Sequence, residues 1–173
     1  MKQITFACII ILLLAGCSQH ESDENIQKAR SALSAYVIDF WVHRDTTAIA
    51  RAITPNLVYH YEGQIVPGDY PSHVQALRNY GGAFPDLNAT IDVFTFDGEF
   101  GAAVTSWSGT QLGIFPANRS TGMNAIPPTG KKVSWPVHYI FRMEGDRIAE
   151  LWEAWDEGGV SVQLINAASQ PAK

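Results

Sequence analysis

Apolar residues recur at helical spacing in the first part of the chain and alternate with polar residues in the second part. Between Asn25 and Asp45 the apolar positions fall every three or four residues, which predicts one long amphipathic helix. The elements predicted next are a short helix over Thr47–Ile53 stopped by Pro55, a strand over Leu57–Tyr61, and a helix over Tyr70–Tyr80 ended by Gly81-Gly82.

The second part of the chain is typical of antiparallel strands joined by turns. The predicted elements are strands over Asn88–Phe96 and Ala102–Gln111 joined at Asp97-Gly98, a loop over Gly113–Gly130, and a hairpin of Lys132–Arg142 with Arg147–Glu153. Because helices come first and a run of strands follows, the order predicts an α+β domain with N-terminal helices packed on one face of a curved sheet.

The Glu-Gly-Asp turn at 144–146 leaves the register of the last hairpin open. A loop of residues 145–146 places His138 directly opposite Glu153, whereas a loop of residues 144–145 places them diagonally. In both registers the two side chains share a face, where opposite Cβ atoms lie about 5 Å apart. A three-residue loop with a bulge would break this inference.

His138 and Glu153 are therefore the candidate catalytic pair. The neighbouring Trp152 and Trp155 offer an apolar wall, which raises a carboxyl pKa towards the range useful for acid-base catalysis. Each residue also has an ordinary structural interpretation. Glu153 could be a solvated residue at a strand end, and His138 a half-buried histidine with its hydrogen bonds satisfied.

A sheet that curls around helices leaves a cavity, and apolar cavities with a few polar groups are common ligand sites. We expect His60 and Trp107 to line it beside the catalytic pair. Strand alternation places His60 on the same face as Val58, with Tyr59 and Tyr61 on the other. The alternative for His60 is an edge histidine in water.

The N-terminus predicts export. The apolar run from Ile4 to Leu14 is too short to cross a bilayer about 30 Å thick, which needs about 20 residues. Leu14-Ala15-Gly16-Cys17 resembles the bacterial lipobox, which implies cleavage before Cys17, a lipid on that cysteine, and a location in the cell envelope. An ordinary secretory signal with an incidental cysteine is the alternative. The predicted organisation is a signal peptide (1–16), a lipidated tether (17–24), one domain (25–166) and a tail (167–173).

Composition argues against several classes of function. The 173-residue chain has a formal net charge of -5 and no basic cluster, so nucleic acid is not an expected partner. No cysteine-containing ligand set is present, and the histidines are scattered over separate elements, so we predict no metal site. No glycine-rich phosphate loop joins a strand to a helix, so we predict no cofactor.

Four pieces stand in order along the chain: the long first helix, Phe84-Pro85-Asp86-Leu87, Ile126–Lys131, and the hairpin over Phe141–Asp156. Together they resemble the SnoaL-like ester cyclase family of the nuclear-transport-factor-2-like superfamily, over about residues 25 to 166. The resemblance implies a cone-shaped α+β fold, often a homodimer, with a pocket between sheet and helices.

Polyketide cyclases of this kind use an acidic residue on the last strand as general acid and base for an intramolecular aldol closure, without metal or Schiff base. The resemblance assigns that position to Glu153, where Asp is usual, with His138 as its pocket partner. As a hypothesis, Glu153 is the base and later the acid, His138 is the donor or orienter, and Asp156 is a nearby charge.

Two functions of different classes are open at this point. The first is an exported lipoprotein whose pocket binds a small apolar molecule and catalyses proton transfer on a carbonyl compound, as a cyclase or isomerase does. The second is a lipid-anchored carrier that binds such a molecule without changing it, which the predicted export favours. Hydration of an epoxide or isomerisation of a ketosteroid would need a second carboxylate, and therefore an inward-facing Asp156.

Overall fold

The computed structural model describes residues 23–118 and 122–166. The predicted signal peptide, Cys17 and the tail at 167–173 lie outside these ranges. No helix within them is both long and apolar enough to cross a membrane. The elements are α1 (23–42), α2 (Ile49–Ala52), β1 (Ile53–Tyr61), β2 (Gln64–Val66), α3 (Tyr70–Ala83), β3 (Asn88–Phe96), β4 (Phe100–Thr110), β5 (Lys132–Glu144), β6 (Arg147–Trp155) and α4 (Glu157–Asn166).

The six strands form one sheet in the order β2-β1-β6-β5-β4-β3. β1 and β6 are parallel, and all other neighbours are antiparallel. Burial alternates strictly along β5, where Val133, Trp135, Val137, Tyr139 and Phe141 are buried and the residues between them are exposed. The core therefore lies between one face of the sheet and the helices. This arrangement confirms the predicted α+β class.

Helix α1 packs its apolar stripe against this inner face, as its periodicity predicts. Its last part, Ala35–Val42, is π-helical, and the His43 N–H donates to the Ile38 carbonyl, five residues back, at 2.9 Å. Such wider turns are frequent at functional sites. Because residues five apart stack in a π-helix, Tyr36 and Trp41 both face the sheet.

Helix α3 continues through Gly81-Gly82, where the sequence predicted its end. The guanidinium of Arg44 donates to the carbonyls of Gly81, Phe84 and Pro85 at 2.8, 2.9 and 3.1 Å. These carbonyls lie at the C-terminus of the helix, where cations are stabilising. A residue distant in sequence thus allows one more turn than the local glycines indicate.

The last hairpin contains a bulge that decides which residues face the core. Residues 145–146 form the loop, and Met143 pairs with Ile148. The next pair is Arg142 with Glu150, so Ala149 is the extra residue of the bulge.

Beyond this point Tyr139 pairs with Glu153, and His138 pairs with Ala154. The prediction that His138 and Glu153 share a face is therefore wrong, because one inserted residue moves every later side chain of β6 to the other face.

Candidate functional site

A cavity of about 80 Å³ lies between the inner face of the sheet and helices α1 and α3. It adjoins a second hollow of about 190 Å³ beside β2, and the two share Trp41, Tyr59, Tyr61, Ala76 and Tyr80. Its wall is mostly aromatic and consists of Trp41, Tyr59, Tyr61, Tyr80, Phe84, Trp107, Trp135, Tyr139 and Trp155, with Ala76, Leu87, Val137 and Glu153.

Glu153 supplies the carboxyl group of this wall. The hydroxyls of Tyr59 and Tyr36 both donate to its Oε2, at 3.0 and 3.3 Å. Its Oε1 has no hydrogen-bond partner within residues 23–118 and 122–166. The side chain is half-buried on the cavity wall, so Oε1 is the carboxyl oxygen left for a bound molecule.

The surroundings of Glu153 bring its pKa close to neutrality. Burial raises the pKa of this carboxyl from 4.5 to about 7, and the negative charge of Glu62 adds to the rise. The hydrogen bonds from the two tyrosines act in the opposite direction because they stabilise the carboxylate. At neutral pH both the proton-accepting and the proton-donating form are therefore populated.

The two tyrosines are suited to donate hydrogen bonds at any physiological pH. Burial raises the pKa of Tyr36 and of Tyr59 well above the ordinary tyrosine range, and the Glu153 charge raises both further. The Tyr36 and Tyr139 rings meet in a T-shaped arrangement, with 6.1 Å between the ring centroids. Sequence reasoning missed Tyr36 as a site residue, although it lies on the apolar stripe of α1 that faces the sheet.

Of the residues expected to line the cavity, Trp107 does so. It is buried on β4, its Nε1 donates to the Thr105 hydroxyl at 2.7 Å, and its ring meets Trp41 edge-on. His60 does not. Strand alternation separates it from Tyr59 as predicted, but Tyr59 faces inwards, and His60 stacks on Trp152 with its Nε2 3.0 Å from Glu150 Oε1.

The other two predicted catalytic residues also lie away from the cavity. His138 is exposed on the outer face of the sheet, where the regular alternation of β5 places it between the buried Val137 and Tyr139. Asp156 is exposed beyond the end of β6, and its Oδ1 accepts the Gly159 backbone N–H at 2.7 Å. It therefore caps the start of α4, a helix that the sequence analysis did not predict.

A second buried carboxyl lies behind the cavity wall, one residue after Asp156. Glu157 is 2 % exposed and accepts hydrogen bonds from the Asn118 amide and, at 3.3 Å, from the Tyr80 hydroxyl. Burial raises its pKa as well. Tyr80 lies between Glu157 and the cavity that it lines, so this carboxyl contacts the site through a tyrosine.

His73 on α3 is a further polar residue of the site. It lines the hollow beside β2 and is 3 % exposed. Its spacing of four residues from Leu77 could have marked it as part of the buried stripe of α3.

Within residues 23–118 and 122–166, no three His, Cys, Asp or Glu side chains are grouped as metal ligands would be.

Comparisons with known proteins agree with this architecture. TsrD from Streptomyces laurentii superposes with a TM-score of 0.66 at 21% identity, over 80% of this chain and 96% of that protein. A protein from Jannaschia sp. CCS1 named for the SnoaL-like polyketide cyclases gives a TM-score of 0.68 at 16% identity, over 84% and 94%. At such identities the likeness shows the fold alone, which is the cone-shaped α+β fold expected from the sequence.

A search of the curated proteins finds no match to this chain. The family model of the SnoaL-like polyketide cyclases matches residues 31–164, which span the described helices and strands from α1 to α4. That range is well over half of the chain and contains Glu153, the cavity and both tyrosines that bind the carboxyl group. The protein therefore belongs to the SnoaL-like polyketide cyclase family.

Proposed function

We propose that this protein catalyses cofactor-independent proton transfer on a small carbonyl compound, with Glu153 as general base and then general acid. The observation that carries the proposal is a carboxyl group with a pKa of about 7 on the wall of an aromatic cavity. A catalytic group works best when its pKa lies near the working pH. Family membership supports small-molecule chemistry in this cavity without identifying the substrate.

The proposed reaction uses the two oxygens of Glu153 differently. Tyr36 and Tyr59 hold Oε2, while Oε1 accepts the proton from the carbon next to a substrate carbonyl. The electron pair of the broken C–H bond moves onto the carbonyl oxygen and gives an enolate. The tyrosines also fix the orientation of the carboxylate before the substrate binds.

The second half-reaction returns the proton. In a cyclase-like reaction the enolate carbon bonds to a second carbonyl carbon of the same molecule, and the resulting alkoxide takes the proton from Oε1. In an isomerase-like reaction the proton is delivered to a different carbon. Both routes regenerate the carboxylate and need no oxidant or metal, and the apolar wall favours substrates with flat, unsaturated groups.

Hydrogen–deuterium exchange tests the first half-reaction without the natural substrate. We would incubate 2-tetralone, a small aromatic ketone, in D₂O with the protein and follow loss of its α-protons by NMR. Glu153→Gln should lower the catalysed rate by roughly 100-fold or more, since it removes the base. Glu150→Gln is the matched control, because Glu150 lies on the same strand but contacts His60 and Arg142 on the outer face.

The possible results separate the two functions left open by the sequence. Exchange that depends on Glu153 and not on Glu150 supports catalysis. Saturable binding of 2-tetralone with no acceleration of exchange supports a carrier. Exchange that continues undiminished in Glu153→Gln contradicts the proposed role of this carboxyl group.

We also propose that the mature protein is anchored to a membrane of the bacterial cell envelope through a lipid on Cys17. Leu14-Ala15-Gly16-Cys17 supports this proposal because it has the small residues and cysteine of a lipobox. Radiolabelled palmitate should be incorporated by the full-length protein in a bacterial host and not by Cys17→Ser. Equal labelling of both proteins, or labelling of neither, would contradict the anchor.

A further inference from the structure

His73 has an unsatisfied hydrogen-bonding atom inside the protein. Its Nε2 has no hydrogen-bond partner, and it is the one buried side-chain nitrogen or oxygen of which this is true within the described ranges, 23–118 and 122–166. Buried polar atoms are nearly always paired, so each exception needs an explanation. One explanation is that the partner is supplied by a bound molecule.

The other ring nitrogen shows which kind of partner Nε2 needs. His73 Nδ1 lies 3.1 Å from the backbone carbonyl of Asp69. A carbonyl only accepts hydrogen bonds, so Nδ1 carries the proton. Burial lowers the pKa of His73, which keeps the ring neutral. Nε2 is consequently a lone-pair acceptor, and its missing partner is a donor.

The position of His73 links it to the site of Glu153. Its ring centroid lies 5.1 Å from that of Tyr59 and 5.7 Å from that of Tyr36, the two tyrosines that bind the Glu153 carboxyl group. His73 lines the hollow beside β2, Glu153 lines the adjoining cavity, and Tyr59 lines both. The adjoining spaces therefore have His73 in the wall of one and Glu153 in the wall of the other, and aromatic side chains line both.

We propose that His73 Nε2 accepts a hydrogen bond from a hydroxyl group of the bound molecule, whose carbonyl end lies at Glu153. The ligand class is then a hydroxylated, unsaturated ketone. A methyl ether or a second carbonyl at the hydroxyl position would leave Nε2 unpaired or place two acceptors together. The carbonyl end rests on the proposed function, whereas the hydroxyl end can be tested by binding alone.

Phenol and anisole share the aromatic ring and the oxygen, and anisole has a methyl group in place of the hydroxyl proton. NMR titration of the tryptophan indole N–H signals around the cavity would give both dissociation constants. We expect phenol to bind roughly tenfold more tightly than anisole, as one hydrogen bond to a buried acceptor allows. His73→Phe keeps a flat ring and removes Nε2, so the preference should fall to about one while anisole binding changes little.

Ser72→Ala is the matched control, because Ser72 lines the same hollow on the same helix. It should preserve the preference for phenol. The inference is overturned if phenol does not bind, if phenol and anisole bind the wild-type protein equally, or if the preference survives in His73→Phe.

A second readout needs no variant at position 73 and stays informative if His73→Phe does not fold. The ¹⁵N resonance of His73 Nε2 in the wild-type protein should move upfield when phenol is added and stay in place with anisole. An unchanged resonance at saturating phenol would overturn the inference.

Repeating the titration with Glu153→Gln separates this inference from the proposed function. If the preference for phenol persists while ketone exchange is lost, both stand. If exchange fails in the wild-type protein but the preference depends on His73, the binding role stands and the catalytic proposal fails. A preference abolished by Glu153→Gln and retained in His73→Phe would place the phenol hydroxyl at Glu153 and overturn the assignment to His73.

Discussion

At Glu153, burial and hydrogen bonding act in opposite directions on one carboxyl group. Burial among aromatic rings favours the neutral acid, while the hydroxyls of Tyr36 and Tyr59 favour the carboxylate. The result is a pKa of about 7 instead of a fully protonated or fully ionised group. The same balance predicts how the protein responds to pH and to single substitutions.

Glu153→Gln should stabilise the protein at alkaline pH and have little effect at acid pH. The folded state raises the pKa of Glu153 from 4.5 to about 7, so it binds this proton more tightly than the unfolded state does. Wild-type stability therefore falls as pH rises through this interval, by at most about 3 kcal/mol in the free energy of unfolding. Urea unfolding at pH 4.5 and pH 8 measures the difference.

Glu150→Gln is the control for this experiment and should have the opposite sign. Hydrogen bonding with His60 lowers the pKa of Glu150, so losing that carboxylate should destabilise the protein above the ordinary carboxyl range. A stability gain in Glu153→Gln that is the same at both pH values would contradict the account of Glu153.

Tyr59→Phe should raise the pKa of Glu153 further, because it removes a hydrogen bond to the carboxylate at 3.0 Å. The acid limb of the pH–rate profile for 2-tetralone exchange, which reports ionisation of the base, should move to higher pH. Tyr139→Phe is the matched control, since Tyr139 pairs with Glu153 across the strands and lines the same cavity. An acid limb that moves equally in both variants would count against the hydrogen bond.

Among the elements, two irregular segments place the site residues. The π-helical part of α1 brings Tyr36 and Trp41 to the same side, and the bulge at Ala149 turns Glu153 inwards. Without the bulge, the alternation that buries Ile148 would continue and bury Trp152, and Glu153 would face outwards. The catalytic face of β6 therefore depends on one inserted residue near the turn.

The regular part of this fold could be predicted from the sequence, and the irregular part could not. The apolar periodicity of α1 and the span of β3 gave the right elements, because both depend on local pattern. The bulge is one extra residue between the pairs Met143–Ile148 and Arg142–Glu150, and the pattern of neither strand alone records it. For that reason the predicted pairing of His138 with Glu153 was wrong. Glu153 lines the cavity as expected, whereas His138 lies on the outer face.

The close contact between β4 and β5 predicts the effect of adding a methyl group at Gly101. A Cβ atom added to Gly101 would lie 2.1 Å from Cζ of Phe141, whose ring is fully buried and stacks with Phe96. Gly101→Ala should therefore lower the free energy of unfolding by about 1–3 kcal/mol. Gly82→Ala is the control because its Cβ would meet nothing within 4 Å. Equal stability of the two variants in urea would contradict this packing.

The whole molecule uses the two faces of its sheet differently. The inner face, with the helices, encloses the cavity. The outer face carries large apolar side chains in contact with solvent, among them Ile140 at 53% and Phe100 at 40% exposure. Exposed apolar groups on one face are typical of interaction surfaces. The family resemblance led us to expect a homodimer, and this face is where we expect the second copy.

Ile140→Glu should weaken the expected dimer, because it places a charge on the outer face without touching the cavity. Sedimentation equilibrium of the wild-type protein should give a dimer and that of the variant a monomer, with the same circular dichroism. Ile165→Glu on α4 is the control, since Ile165 is similarly exposed at 56%. A wild-type protein that stays monomeric across the concentration range would contradict the homodimer prediction.

The proposed chemistry depends on a Glu153 carboxyl group that titrates near neutral pH. The direct measurement is its pKa, from ¹³C NMR of the side-chain carboxyl carbons across the pH range, with Glu153→Gln to assign the resonance. We expect a midpoint of about 7. A midpoint near the ordinary value of 4.5 would contradict this expectation, because Glu153 would then be ionised throughout the physiological range and would be a weaker base for removing a proton from carbon.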